Sequence, residues 1–423
     1  MISQKKTGFL IRHAKILPLA FISTLAFGLL GGGDKSLSLL ASNMYNWFGI
    51  LITAQALSKR LSQKSTVNFL KLSFIKILNF QLNNCFKNKY GELLSKFSAI
   101  KIEDSTSFQL DEKLKKSFKG TGGAASKSAM KLNTCIDIVT NTITHMDIGS
   151  GIIADQRIST NLEKSVKKGE LLIRDLGYFS IKSIQKMIAL GVYFLSRLQK
   201  GILLFSNSSE MPLDLYKFLK QKTRNDKTID QDLLISEDRV PIRLIAIKVP
   251  QKVKEQRISK FKKTRKKPPS QDYIEWCGYS IFVTNIPREW FSAKNIIVIY
   301  KIRWQIELFF KVLKQTLCIQ IIRTKSKNAT YSMIYAKLIS LVLTLVIVSY
   351  MDNMCEESEE ISVDKIIKKL CNDNRFGKAM VEKDIYSLLE ELFLTFKSIC
   401  KDQRQKKTTY GLIKEELSFL EVA

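Results

Sequence analysis

Tyr300-Lys301-Ile302-Arg303-Trp304-Gln305-Ile306-Glu307-Leu308-Phe309-Phe310-Lys311-Val312-Leu313-Lys314 is the stretch on which the reading of this chain turns. Wound as one helix at about 100° per residue, it gathers Tyr300, Arg303, Glu307, Lys311 and Lys314 into a narrow stripe and sets Ile302, Ile306, Phe309 and Leu313 opposite. One face packs, and the other presents a carboxylate among cations. An ordinary amphipathic surface helix has the same pattern, and on periodicity alone that is the simpler reading.

Composition narrows the chemistry such a carboxylate can join. The chain has 423 residues, 45% hydrophobic and 25% charged, which suits a folded protein of two or three packed units. Lys and Arg number 68 against 39 Asp and Glu, a net charge of +29. That balance favours a polyanionic partner, nucleic acid or an anionic membrane surface. The abundance of Ile and Lys also fits an AT-rich coding genome, so the charge is a weak indicator by itself. The two histidines, His13 and His145, leave little material for a histidine base or a histidine-rich metal site. Acid, base and metal work falls to carboxylates. Seven scattered cysteines without a C-x-x-C pair argue against zinc and against a disulfide framework, and point to a reducing cytoplasm.

Patterning along the chain predicts an α/β protein with helical ends. Residues 1–95 read as helical and basic, with Leu57, Leu61, Phe69, Leu72, Ile75 and Leu78 on apolar faces and a polar break over Ser62–Thr66. Such a pair is either a helix-turn-helix that touches DNA or a solvated basic face. Within it, the apolar run Ile16 to Gly33 follows Lys5, Lys6 and Arg12 as in a membrane anchor, but Pro18, Ser23 and Thr24 interrupt it. A buried helix is the preferred reading. Residues 96–204 hold short strands at Ala99–Phe108, two within Ser128–His145, Leu171–Arg174 and Val192–Leu198. Residues 205–278 form a β-rich insertion, and Lys252–Lys267 within it carries nine Lys/Arg against Glu255. Runs of this kind are commonly mobile and contact nucleic acid, which makes Lys262, Lys263, Arg265 and Lys266 candidates for the DNA backbone. Residues 279–330 return to the core, and 331–423 are helical, with Leu338–Tyr350 as a core helix of thirteen residues.

The opening stretch also has the spacing Tyr-x2-Arg-x3-Glu-x6-Lys, in Tyr300, Arg303, Glu307 and Lys314. In this it resembles the family-four group of bacterial insertion-sequence transposases with Asp-Asp-Glu active sites. Two further segments resemble that family's other acidic motifs, in the same order: Ile102-Glu103-Asp104-Ser105-Thr106, and Leu172-Ile173-Arg174-Asp175-Leu176-Gly177-Tyr178. Ile281–Pro287 is close to what precedes the family's glutamate helix.

The resemblance spans about Ile100 to Leu317 and implies a ribonuclease-H-like core that brings the three carboxylates together. It implies Asp104, Asp175 and Glu307 as catalytic residues and ligands of two Mg²⁺ ions, with Mn²⁺ able to substitute. It also implies Tyr300, Arg303, Lys311 and Lys314 as DNA contacts, and Trp304 as a residue for stacking an extruded base or for burial. The implied partners are double-stranded DNA, as transposon ends and target, and a second copy of the chain through helices after Ala336, in a cytoplasmic, nucleoid-associated protein without a membrane. Nearby Glu103, Asp111, Asp137, Asp147 and Asp155 compete as ligands, with Asp147 and Asp155 read as surface or turn residues. A catalytically inactive DNA-binding relic and a membrane-anchored basic protein are the rival readings.

Overall fold

The computed structural model describes residues 7–9, 17–30, 35–83, 96–122, 126–140, 142–155, 165–223, 227–265, 267–315, 317–354, 363–372, 375–382 and 385–400. Lys266 and His13 lie outside these. Four helices come first: α1 (Pro18–Gly28), α2 (Leu37–Phe48), α3 (Ala54–Leu61) and α4 (Lys64–Asn83). Ser36 and Thr53 cap α2 and α3, each side chain accepting from a backbone N–H three residues on. The strands β1 (Ile100–Gln109), β2 (Ala129–Asp137), β3 (Thr142–Ser150) and β4 (Leu171–Arg174) follow, then α5 (Ile181–Ala189) and β5 (Tyr193–Arg197). Next come β6 (Leu204–Phe205), α6 (Leu215–Lys222), β7 (Thr228–Ile235), β8 (Val240–Lys248), α7 (Gln251–Thr264), α8 (Gln271–Cys277) and β9 (Tyr279–Thr284). The helices α9 (Ala293–Lys301), α10 (Trp304–Gln315), α11 (Lys327–Asn353), α12 (Val363–Asn372), α13 (Arg375–Glu382) and α14 (Ile385–Cys400) complete the described chain.

All nine described strands join one sheet, ordered β3-β2-β1-β4-β5-β9-β8-β7-β6. β4 runs parallel to β1 and β5 parallel to β4, while the other pairs are antiparallel. Every residue of β4, Leu-Leu-Ile-Arg, is buried, because both faces of the sheet are covered there. Alternation sorts the side chains. Ile100, Ile102, Leu171 and Ile173 share a core with α9, α10 and α11, whereas Leu172, Cys135 and Phe194 share a second core with Ile184 and Met187 of α5. The strands within 205–278 therefore lengthen the main sheet, with β9 bonded to β5 along one edge and to β8 along the other.

Two expectations change. The basic run at Lys252–Lys267 is not a mobile arm over its first part: Gln251–Thr264 is helical. Lys and Arg are good helix formers, and Arg257 fastens the helix by donating to the carbonyls of Cys277 at 3.2 Å and Tyr279 at 2.7 Å and to Ser280 Oγ at 2.8 Å. The apolar run at Leu338–Tyr350 is part of the 27-residue α11. That helix is long and apolar enough to cross a membrane, yet 78% of its most apolar window is buried inside the protein. Lys337 at its middle donates to the carbonyls of Cys318 at 2.6 Å and Ile321 at 3.1 Å, and Ser332 to that of Leu61 at 2.8 Å. With Leu338, Ile339, Leu341 and Val342 fully buried, α11 is a core helix, as expected, but twice as long as the apolar run. The run from Ile16 is buried as expected where it is described: Ala20, Phe21 and Leu25 are inaccessible, and α1 packs on α2, α11 and α13.

Candidate active site

β1 outlasts β4. The register of this pair ends at Glu103 opposite Arg174, so β1 continues as Asp104 and Ser105 while the other chain turns away at Asp175. Asp104 shares its sheet face with Ile102, the face on which α10 packs. Asp175 precedes a short 3-10 turn, Leu176–Tyr178, and its carboxylate makes no cap to that turn. Glu307 lies in the first turn of α10, where the positive end of the helix dipole favours a carboxylate.

The predicted continuous helix over Tyr300–Lys314 is broken at Ile302 and Arg303, between α9 and α10. The break turns the Arg303 side chain into the carboxylates. Its guanidinium nitrogens lie 2.6 Å from Glu307 Oε1, 3.7 Å from Asp104 Oδ2 and 4.0 Å from Asp175 Oδ1. Three acids from β1, the end of β4 and α10 thus meet at one cation. Among the described residues no three His, Cys, Asp or Glu side chains stand close enough together to hold one ion, and at these three carboxylates the shared partner is the Arg303 guanidinium. The donor set itself is all carboxylate oxygen, the chemistry preferred by Mg²⁺ and Mn²⁺.

Asp104 is strongly perturbed. Burial pushes its carboxyl up to about 6, the Ser105 N–H bond and Arg303 oppose the shift, and the charges of Asp175 and Asp155 add to it. The folded value thus lies above the ordinary one near 3.8, so ionised Asp104 costs stability, a cost complete above about pH 6 and absent below about pH 4. Asp104→Asn is therefore expected to melt a few degrees above wild type at pH 7.5 in the presence of chelator, with the gap shrinking by pH 4. A thermal melt at the two pH values checks it, and an equal gap at both removes the burial argument.

Asp155, expected at the surface or in a turn, stands instead beside the site. It is half-buried, accepts from Ser105 Oγ at 2.6 Å and pairs with Lys131 Nζ at 3.0 Å, next to Asp104. The segment that carries it has no strand or helix pattern, so only the fold reveals it. Asp147 stays peripheral, bonded to His145 at 2.8 Å, and Asp137 closes the β2–β3 turn through Val139 N–H and Thr140. Asp111 caps the short turn at Glu112–Leu114.

The flanking residues divide. Lys311 is exposed, Lys314 is half-buried, and Trp304 is 56% exposed beside Arg303. Tyr300 packs its ring on Phe282 at 4.9 Å, and its hydroxyl is buried near Arg303. Burial and the Asp175 charge push that hydroxyl up to about 12. Lys262, Lys263 and Arg265 are exposed at the end of α7.

A family model described as the transposase DDE domain matches residues 96–343. The transposase for insertion sequence element IS1151 of Clostridium perfringens is 27% identical over 441 residues, covering 97% of this chain and 92% of that protein. The transposase for insertion sequence element IS231F of Bacillus thuringiensis subsp. israelensis is 27% identical over 326 residues, 72% of this chain and 67% of that protein. A piggyBac transposase synaptic complex with hairpin DNA aligns with 97% of this chain and 83% of its own at TM-score 0.44 and 10% identity. The matched domain begins just before the strand that carries Asp104 and ends beyond the helix that carries Glu307, and the chain belongs to the DDE-domain family as a DNA transposase of the bacterial insertion-sequence kind.

Proposed function

We propose that this transposase binds the inverted-repeat ends of its element, cleaves a strand to leave a 3′-hydroxyl and joins that end to target DNA, with Asp104, Asp175 and Glu307 as the catalytic carboxylates. The observation that carries the reading is the meeting of these three at Arg303, from elements more than a hundred residues apart at the extremes. The order β3-β2-β1-β4-β5, with β4 and β5 parallel to β1, supports a ribonuclease-H-like core over 96–204 and 279–330. Residues 205–278 are then the insertion of that core, 1–95 and 331–423 its helical flanks, and Tyr300 to Lys314 the family-four signature.

The three carboxylates would hold two Mg²⁺ ions, or Mn²⁺ in their place. When bound, such ions activate the attacking water or 3′-hydroxyl and stabilise the leaving oxygen. The protein's own part is positioning. Glu307 and Asp175, each nearly half exposed, face the side from which a phosphate arrives, whereas Asp104 sits deeper, at 20% side-chain exposure. Arg303 is the group suited to exchange a carboxylate for a phosphate as a bidentate partner, with Lys311 and Lys314 as point charges beyond it. Tyr300 holds the break between α9 and α10 through its ring on Phe282, and Trp304 offers an exposed aromatic face beside the scissile region.

Lys262, Lys263 and Arg265, with Lys266, would hold the DNA backbone without reading sequence. Replacing the three described residues by Gln is expected to weaken specific and non-specific duplexes alike and to lower the slope of log K against log salt by about 1 for each phosphate no longer neutralised. Fluorescence anisotropy over a KCl series checks this; weakening confined to the terminal-repeat duplex would assign α7 to sequence reading instead. Two ends are joined in one event, so the working form on DNA is at least a homodimer, and its place is the cytoplasm, at the nucleoid. The decisive experiment is cleavage of a duplex bearing the terminal repeat by purified protein in Mg²⁺ and in chelator. Product in both, or in neither Mg²⁺ nor Mn²⁺, overturns the proposal.

A further inference from the structure

We propose that Glu103 and Arg174 are positioning residues that aim Asp104 and Asp175 from the opposite face of the sheet. The inference rests on the reading of those two aspartates as metal ligands. Each member of the pair immediately precedes one of them in sequence, and the two stand opposite each other as the last register pair of β1 and β4. Glu103 is 2% exposed and Arg174 3%. Arg174 donates from Nε to Glu103 Oε2 at 2.7 Å and from a second nitrogen to the same oxygen, while its remaining terminal nitrogen donates to Ser183 Oγ of α5 at 2.8 Å. Asn133 of β2 donates to Glu103 Oε1 at 2.9 Å, and the Tyr178 hydroxyl donates to Asn133 Oδ1 at 2.6 Å.

The network thus joins β1, β2, β4, the turn after Asp175 and α5 at one buried point. That point is where backbone pairing runs out. Beyond Arg174 no ladder bond holds β4, so nothing in the sheet itself fixes the direction in which Asp175 leaves it. Successive residues of a strand project to opposite faces, so a side chain clamped below fixes the residue that follows it above. Clamping Glu103 and Arg174 to each other therefore sets the separation of Asp104 and Asp175.

Stability alone does not account for the pair. A buried ion pair exchanged for apolar residues of similar volume commonly leaves a protein as stable or more so. Here Glu103 is the register neighbour of Cys135 and Arg174 follows Leu172 by two residues in β4; Cys135 and Leu172 both belong to the second apolar core, where such residues would pack. What an apolar pair would lack is direction, since bonds from a planar guanidinium orient both strands at once.

The test is the double variant Glu103→Gln/Arg174→Met, which keeps an acceptor for Asn133, fills the space of the arginine stem and leaves no unpaired buried charge. Three measurements are made: the thermal midpoint, Mn²⁺ binding to the metal-free protein by calorimetry, and kcat and KM for terminal-repeat cleavage. The proposal expects a midpoint within a few degrees of wild type and KM within about 2-fold, with Mn²⁺ affinity and kcat each lower by about 10- to 100-fold, as when metal ligands are deprived of their outer-shell partners. A folded double variant with wild-type Mn²⁺ affinity and kcat overturns it. Should that variant not fold, Arg174→Lys serves, because it keeps the charge against Glu103 and gives up the fork: a fall in kcat of about 10-fold is expected, and wild-type kcat overturns the proposal. Asp104→Asn in the same calorimetric series separates the levels. If it binds Mn²⁺ as wild type does, the metal site falls and the proposal with it; if it fails to bind while the double variant binds normally, the network alone falls.

Discussion

Glu307→Gln is expected to lower metal-dependent cleavage of a terminal-repeat duplex by about 10³-fold or more while leaving the fold and duplex binding near wild type. The substitution keeps the length of the side chain and one oxygen, and removes the charge. About 10³-fold in rate corresponds to about 4 kcal/mol of transition-state stabilisation, within reach of a single ligand at a site where charge builds on phosphorus oxygens. The fold is expected to hold because Glu307 is nearly half exposed, and the substitution weakens only its ionic bond to Arg303 and its favourable place in the first turn of α10. Binding is expected to hold because removing a negative charge beside a phosphate does not repel it. Single-turnover cleavage and anisotropy on the same preparations check the two halves. Equal cleavage by wild type and variant would remove Glu307 from the site. Equal absence of cleavage, with binding intact in both, would identify the chain as an inactive DNA-binding relic.

The second large effect belongs to Arg303. Arg303→Lys conserves charge, yet it is expected to lower cleavage by about 10²-fold at saturating DNA, and Arg303→Ala by more. An ammonium group is a point donor on a flexible stem, whereas the guanidinium spans three carboxylates at 2.6, 3.7 and 4.0 Å from different nitrogens. Lysine can satisfy the near partner, Glu307, and cannot reproduce the geometry to the other two. The expected signature is a fall in kcat with KM changed less than about 3-fold, as when an interaction is made chiefly in the transition state. A variant with raised KM and unchanged kcat would mark Arg303 as a general phosphate anchor instead.

Much of this architecture is legible in residue order, and the exceptions have physical causes. The strands over Ile100–Gln109, Ala129–Asp137 and Leu171–Arg174 stand where alternation and apolar runs put them, and Asp175 directly follows its strand as expected, whereas Asp104 lies in the middle of β1 and not at a strand end, because pairing with β2 carries that strand on to Gln109. The break within Tyr300–Lys314 is illegible because no Gly or Pro marks it: Ile302 is drawn into the core and Arg303 into the acids, and tertiary contacts override a good helical pattern. Charge density hides α7, since a run of lysines reads as solvated whether or not it is helical. The true length of α11 is obscured by Ser332 and Lys337, which interrupt the apolar pattern before Leu338 but spend their donors on the carbonyls of Leu61, Cys318 and Ile321. Asp155 and the Glu103–Arg174 pair need the fold itself, because their partners are 24 to 71 residues away in sequence.

The placement of Arg303 and Glu307 after β9 bears on biosynthesis. The ribosome releases the strands carrying Asp104 and Asp175 first, but the outer edge of β5 stays unpaired until Tyr279–Thr284 appears, and the helices that cover the Asp104 face follow later still. A nascent or truncated chain that stops before Arg303 owns two of the three acids and lacks both the third and the cation that draws them together. With the three acids in the proposed roles, cutting DNA would be deferred until most of the protein exists, by the order of its residues alone.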